Sequence, residues 1–195
     1  MYLTLFMEEK NNSKTDQELV ALTLKDRHAF AAIVEKYQAA LRRYIVRLGG
    51  RDCNDQDDIL QEIFLKVYLN LNDYDPSLKF SSWIYRITHN ETISFFRKKN
   101  ISPMPVITEE DLEIFQNLAD DTDTAEMHNE RFDAEIVRQA ITELEKQYRD
   151  VLTLKFLEEK SYNEISDILK MPIGTVGTLV NRGKKQLKII LKKRI

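Results

Sequence analysis

With one cysteine, Cys53, in 195 residues, the chain cannot close an internal disulfide or build a cysteine-based zinc site, a usage that fits a reducing cytoplasm. Cys53 reads as an ordinary loop cysteine, with a redox role as the alternative. Histidine is as sparse. His28, His89 and His128 stand without metal-ligand spacing or a nucleophile beside them, so neither a metal centre nor a catalytic dyad is expected. No apolar run approaches the roughly 20 residues that cross a bilayer. The opening MYLTLF lacks the basic start and small-residue cleavage site of a signal peptide, so a cytoplasmic protein without membrane insertion is expected. Neither a convincing period-2 strand nor a glycine-rich phosphate loop occurs, and the expectation is an all-α chain with no cofactor and no metal.

Glycine and proline are few, at five and four, yet three of the glycines gather near one segment, SYNEISDILKMPIGTVGTLVNR (Ser161 to Arg182). Ser161 and Glu164 have the spacing of a capping box, and Ile165, Ile168 and Leu169 give one apolar face. Lys170 to Gly174 cannot continue that helix, because proline lacks an amide proton and glycine favours a turn, so a second helix is expected to restart near Thr175. Its stripe is Val176, Val180, Leu187 and Ile190 or Leu191. Thr178, Asn181, Arg182 and Lys185 then point outward, where a recognition helix presents groups to base edges and phosphates. The segment is a helix-turn-helix. Gly174, Gly177 and Gly183 cost a helix about 1 kcal/mol each relative to alanine; a close backbone approach, to a neighbour or to DNA, or simple slack would account for them.

Charge is divided by segment beneath a net value of −3. Residues 1–99 carry fifteen basic and fourteen acidic groups, and residues 131–195 fourteen and nine, whereas residues 100–130 carry nine acids and neither Lys nor Arg. Like charges and few aromatics argue against a packed core there. Ser102 to Pro105 opens the stretch as a linker, and Leu112, Ile114, Phe115 and Leu118 offer at most one weak helical turn or a docking segment. Two small helical domains, 1–99 and 131–195, joined by an acidic flexible linker at 100–130, are therefore expected.

The first domain follows helical periodicity throughout. Thr15 and Glu18 form a capping box, Asp26 caps the next helix, and Gly49-Gly50 ends the segment that contains Ile33, Tyr37, Leu41, Tyr44 and Ile45. Asn54 begins a third helix whose acids Asp55, Asp57 and Asp58 suit its positive end, with Ile59, Ile63, Val67, Phe64 and Tyr68 as the buried stripe. After a loop from Leu71 to Leu78, Ser81 or Ser82 opens a last helix reaching Arg97-Lys98-Lys99. Trp83 reads either as core or, beside Lys79, Arg86, Asn90, Arg97 and Lys98, as part of a face where aromatics stack on unpaired bases. Asp58 and Glu62, four apart, lack the further oxygens a hard metal needs.

These motifs together resemble the extracytoplasmic-function (ECF) class of bacterial RNA polymerase sigma factors, over about the first hundred and the last sixty residues. DDILQEIFLKVY (Asp57 to Tyr68) resembles the helix that in relatives grips the clamp helices of the largest polymerase subunit, implying polymerase binding by Asp58, Gln61, Glu62, Phe64 and Leu65. FSSWIYRITHN (from Phe80, extended to Arg97) resembles the segment that engages the −10 element, implying roles for Lys79, Phe80, Trp83, Arg86, Asn90, Arg97 and Lys98. Leu144 to Leu187 resembles the domain that reads the −35 element, implying Arg149, Thr175, Thr178, Asn181, Arg182 and Lys185. Departures are local. Gly177, Thr178 and Leu179 replace a common basic-Ser-Arg run, and Ser94 stands where relatives often have Asp.

The resemblance implies a transcription initiation factor that is not an enzyme, with core RNA polymerase, promoter DNA and an anti-sigma protein as partners. It also implies that the acidic linker lies in the nascent-RNA path, a plain tether being the alternative. The rival readings are a stand-alone helix-turn-helix regulator of duplex DNA and, from another class, a metal-dependent nucleic-acid enzyme built on Asp58 and Glu62.

Overall fold

The computed structural model describes residues 14–101, 103–120 and 133–194, which are helical with turns and contain no strand. They divide into two compact units, one of residues up to Val46 with Gly50–Ser102, the other of Arg47–Gly49 with Pro103–Ile195.

In the first unit α1 (Asp16–Lys25) opens on the expected capping box: the Glu18 amide donates to Thr15 Oγ1 at 3.3 Å and the Thr15 amide to Glu18 Oε2 at 2.8 Å. Asp26 caps a short 3-10 turn, Arg27–Ala29, that leads into α2 (Phe30–Leu48). The chain ends α2 at Gly49, whose φ of +121° only glycine adopts without strain. Asp52, two residues ahead of the expected start at Asn54, then caps α3 (Cys53–Leu69) by accepting from the amides of Asn54 and Asp55. A 3-10 turn at Leu71–Asp73 interrupts the expected loop. α4 (Phe80–Lys98) begins at Lys79 as cap, without a side-chain bond. Ser81 and Ser82 lie inside its first turn, and Ser82 is buried. α3 and α4 pack on one another, and α1 lies against α4. Ile33, Leu41, Tyr44, Ile45, Ile59, Ile63, Val67 and Ile84 fill the core.

Two aromatic assignments shift. Phe64 is half-buried and Tyr68 is 40% exposed, both edge-on to Phe30 at 6.3 and 5.2 Å. The α3 stripe that faces the core is narrower than its sequence implies.

In the second unit the acidic stretch does not stay unstructured. Glu109–Asp120 forms α5, whose start is closed by reciprocal bonds: the Thr108 amide donates to Asp111 Oδ2 at 3.1 Å, and the Asp111 amide to Thr108 Oγ1 at 3.2 Å. Leu112, Phe115 and Leu118, three apart, are buried, and α5 packs on α6 (Ala134–Glu143), α9 (Ile173–Lys192) and a π-helical turn at Thr153–Leu157. Each such side chain buried contributes about 1.5–3 kcal/mol of transfer free energy. Like charges did not prevent packing, because Glu109, Glu110 and Glu113 stay exposed, while Asp111, which turns inward with the apolar stripe, is buried against Arg47 at 2.7 Å. Asp121, Asp123, Glu126 and His128 lie outside the described residues.

α7 (Lys146–Leu152) runs directly into the π-helical turn, and α8 (Tyr162–Leu169) follows. A Cβ on Gly183 would come within 3.2 Å of Leu152 and 3.3 Å of Tyr148. Close approach of α7 to α9 therefore accounts for this glycine. A Cβ on Gly174 would meet only open space.

Candidate nucleic-acid interface

The helix-turn-helix forms as its residues predict, with its second helix starting earlier. The Ser161 amide donates to Glu164 Oε2 at 3.0 Å and the Glu164 amide to Ser161 Oγ at 3.3 Å, completing the box that starts α8. Lys170 takes the left-handed conformation, φ +53°, and ends α8. Ser166 Oγ ties the turn by donating to the Met171 carbonyl at 2.6 Å. Pro172 is itself the cap residue, so α9 begins at Ile173 rather than near Thr175. Proline suits a helix entrance, since the amide it lacks would have no partner there.

Val176, Val180, Leu187 and Leu191 are buried, whereas Thr175, Thr178, Asn181, Arg182 and Lys185 are all exposed. Steps of three and four residues bring these five to one side of the helix. Thr178 also donates its hydroxyl to the Gly174 carbonyl at 2.9 Å. Arg149 is placed differently. It is half-buried on α7 and donates to the Thr142 carbonyl at 3.2 Å, and burial pulls the pKa of its guanidinium below the ordinary value.

In the first unit the aromatics and cations of α4 separate. Phe80 and Trp83 are buried in a cluster with Tyr37 and Tyr74, with ring centres 5.3 to 5.6 Å apart. They form core, not an open stacking surface. Lys79, Asn90, Arg97 and Lys98 are exposed and Arg86 is half-buried. At about 100° per residue, Arg86, Asn90 and Arg97 fall on one stripe of α4.

Beside the start of α4 lies a concavity of about 240 Å³, walled by Asp16, Tyr74, Pro76, Ser77 and Lys79 among others. Sequence reasoning did not single it out, although Pro76 marked the loop that forms its rim. Two of its lining residues are held by hydrogen bonds: Asp16 Oδ2 accepts from the Tyr37 hydroxyl at 2.7 Å, and the Tyr74 hydroxyl donates to the Leu78 carbonyl at 2.5 Å. Burial first, and then the Asp16 carboxylate, push the Tyr37 hydroxyl far above the usual phenol range, so it stays a donor.

A second surface runs along α3. Asp58, Gln61, Glu62 and Leu65 are exposed, Leu65 by 51%, with Phe64 half-buried behind them. With Lys66, Glu91, Phe95 and Lys98 they border a cleft of about 470 Å³. Lys66 pairs with Glu91 at 2.6 Å. Among the described residues no group of three or more His, Cys, Asp or Glu is placed to hold a metal ion, and no helix is long and apolar enough to cross a membrane.

A helix-turn-helix with an exposed polar face in one unit and a basic helical stripe in the other define a two-unit, all-α nucleic-acid-binding protein. Residues 33–101 match the Sigma-70 region 2 family, and residues 134–187 match Sigma-70 region 4. The ECF RNA polymerase sigma factor SigW of Bacillus subtilis (strain 168) is 34% identical over 167 residues, 84% of this chain and 89% of that relative. The RNA polymerase sigma-H factor of Pseudomonas aeruginosa is 31% identical over 177 residues, 88% and 91% of the two chains. The fold is that of CnrH in complex with the cytosolic domain of CnrY (TM-score 0.64, 22% identity, 91% and 97% covered). It is also that of RpoE in complex with the anti-sigma factor NepR from Bartonella quintana (0.57, 19%, 84% and 96%). The chain belongs to the ECF class of RNA polymerase sigma factors, which direct core RNA polymerase to specific promoters.

Proposed function

We propose that the chain divides this task by unit and performs it in the cytoplasm without catalysis of its own. The exposed α3 face, Asp58, Gln61, Glu62 and Leu65, docks on core polymerase, with Phe64 stiffening it from behind. The α4 stripe of Arg86, Asn90 and Arg97, flanked by Lys79 and Lys98, follows the unpaired −10 strand by neutralising its phosphates. The concavity beside Tyr74 and Ser77 receives one unstacked base, as a polar pocket with an aromatic wall can. Phe80 and Trp83 act through that pocket by holding its rear wall. Thr175, Thr178, Asn181, Arg182 and Lys185 read the −35 major groove, and Arg149 braces α7 behind them while its charge faces the backbone.

The observation that carries this reading is the uniform exposure of all five α9 residues on one side of a capped helix-turn-helix. An anti-sigma protein, the kind of partner seen with RpoE, holds the factor inactive. The test is run-off transcription of genomic fragments by core polymerase with and without this protein. New transcripts that start at discrete sites are expected, and their absence would overturn the assignment.

A further inference from the structure

Two apolar features of the first unit take no part in the proposed function. One is a concavity of about 670 Å³ at the end of α1, lined by Leu24, Tyr68, Leu69 and Leu71 together with the 3-10 turn that follows α1. Its volume is that of sites that bury a ligand. Leu71 is buried, but Leu24 is 51%, Leu69 65% and Tyr68 40% exposed. Three large apolar groups around one hollow form a contiguous patch, and such a patch marks an interaction surface where a single exposed leucine does not.

The other is the opening of the chain, which lies outside the described residues. Six of residues 1–7, MYLTLFM, are apolar, and Glu8 and Glu9 follow directly. Water disfavours so apolar a stretch unless something covers it.

Reach and charge join the two. The Lys14 carbonyl accepts from Lys36 Nζ at 3.3 Å, which fixes the root of the segment before it. From this root to the concavity is the length of α1, ten residues or about 15 Å. Residues 8–13 extend to about 20 Å, so residues 1–7 reach the hollow. Its rim carries Lys25, Arg27 and His28 against one acid, Asp26, whose carboxylate already accepts from the His28 amide at 2.9 Å. The rim is therefore cationic where Glu8 and Glu9 arrive. A short tether holds the segment at roughly millimolar effective concentration, so a modest contact area is enough to seat it.

We propose that residues 1–7 dock in this concavity of their own chain, against Leu24, Tyr68 and Leu69, with Glu8 and Glu9 beside Lys25 and Arg27. The segment closes the open apolar end of the first unit and keeps it from associating with other copies. Docking needs neither polymerase nor DNA, so its success or failure is read in the free chain, separately from the promoter-binding function.

The test uses the full chain with Cys53→Ser, Thr4→Cys and Asn72→Cys, treated with a short bismaleimide. Thr4 is the one polar residue of the seven and Asn72 an exposed residue of the concavity, so neither change removes an apolar contact. A cross-link within one chain is expected in high yield, and adding Leu69→Asp should lower that yield at least fivefold; equal yields would overturn the seat. Glu8→Lys with Glu9→Lys should lower it about twofold at low salt, and raised salt should do the same to the chain with both acids. A yield indifferent to both would overturn the charge pairing. When chains carrying one cysteine each are mixed, a cross-link between them in preference to one within a chain would make a second copy the occupant and overturn the proposal. Removal of residues 2–12, which leaves Lys14 and the α1 capping box, supplies an independent measurement. Amide exchange at the ends of α1 and α3 should rise about threefold, and sedimentation should show self-association. Unchanged exchange, or a truncated chain that stays monomeric, would overturn the role as a cover.

Discussion

At the scale of single residues, Arg182 and Trp83 mark opposite outcomes of one question, whether a side chain meets solvent or its own fold. Arg182 is exposed in the second half of the reading face. Arg182→Ala should weaken promoter use; a contact to a guanine edge costs about 1–3 kcal/mol and relaxes preference at one position, whereas a phosphate contact costs affinity evenly across sequences. Transcription from a mapped promoter and from single-base variants of it distinguishes the two, and unchanged transcription removes Arg182 from the interface. Trp83, 6% exposed, is expected to behave as core. Trp83→Ala should lower stability by about 3–5 kcal/mol, read as a denaturant midpoint shift. A loss of transcription with no loss of stability would return Trp83 to the DNA face.

Elements separate docking from folding. On α3 the packing face is Ile59, Ile63 and Val67, each at most 1% exposed, while Gln61 and Glu62 project from the other side. Surface changes away from caps and cores usually stay within about 0.5 kcal/mol. Gln61→Ala with Glu62→Lys should therefore abolish co-purification with core polymerase while the helical circular-dichroism spectrum and the melting temperature hold. Retained co-purification would move docking to another face of the unit. The capping boxes of α1 and α8, the Asp26 cap and the break of the helix at Lys170 were all legible in the sequence, because each is settled among residues three or four apart. The core role of Phe80 was not, since it depends on Tyr37 and Tyr74, which lie more than 40 and 5 residues away.

For the whole molecule, two predictions concern charge. The isolated protein should bind duplex promoter DNA weakly and the holoenzyme well, because each unit presents few cations and one of its targets exists only once strands part. Filter binding at two salt concentrations checks this, and tight sequence-specific binding by the free protein would favour a self-sufficient regulator. The second concerns the acids of the connector. Glu110, Glu113, Asp120, Asp121, Asp123 and Glu126 replaced by Gln or Asn should change the ratio of abortive to full-length transcripts without changing promoter choice, as charge held in a cationic RNA path would. Asp111 is kept because it closes the α5 cap, and Glu109 because it pairs with Arg138. Raised salt should mimic the substituted protein by screening. An identical abortive pattern at low salt would leave the acids as part of a plain connector.

By itself the sequence determined the helical class, the capping boxes of α1 and α8, the helix-turn-helix and the exposed residues of its second helix. All of these follow from hydrogen bonds and periodicities that act within a turn or two of the chain. Only the tertiary structure decided which amphipathic face found a partner. The stripe of Leu112, Phe115 and Leu118 was visible, but its seat is built by residues from Ala134 to Lys192, beyond the reach of any local pattern. Burial likewise reassigned Trp83 to the core, drew Arg149 to a backbone carbonyl and explained Gly183 by the nearness of Leu152. Packing is a contest between distant surfaces, and its outcome depends on the area each can remove from water.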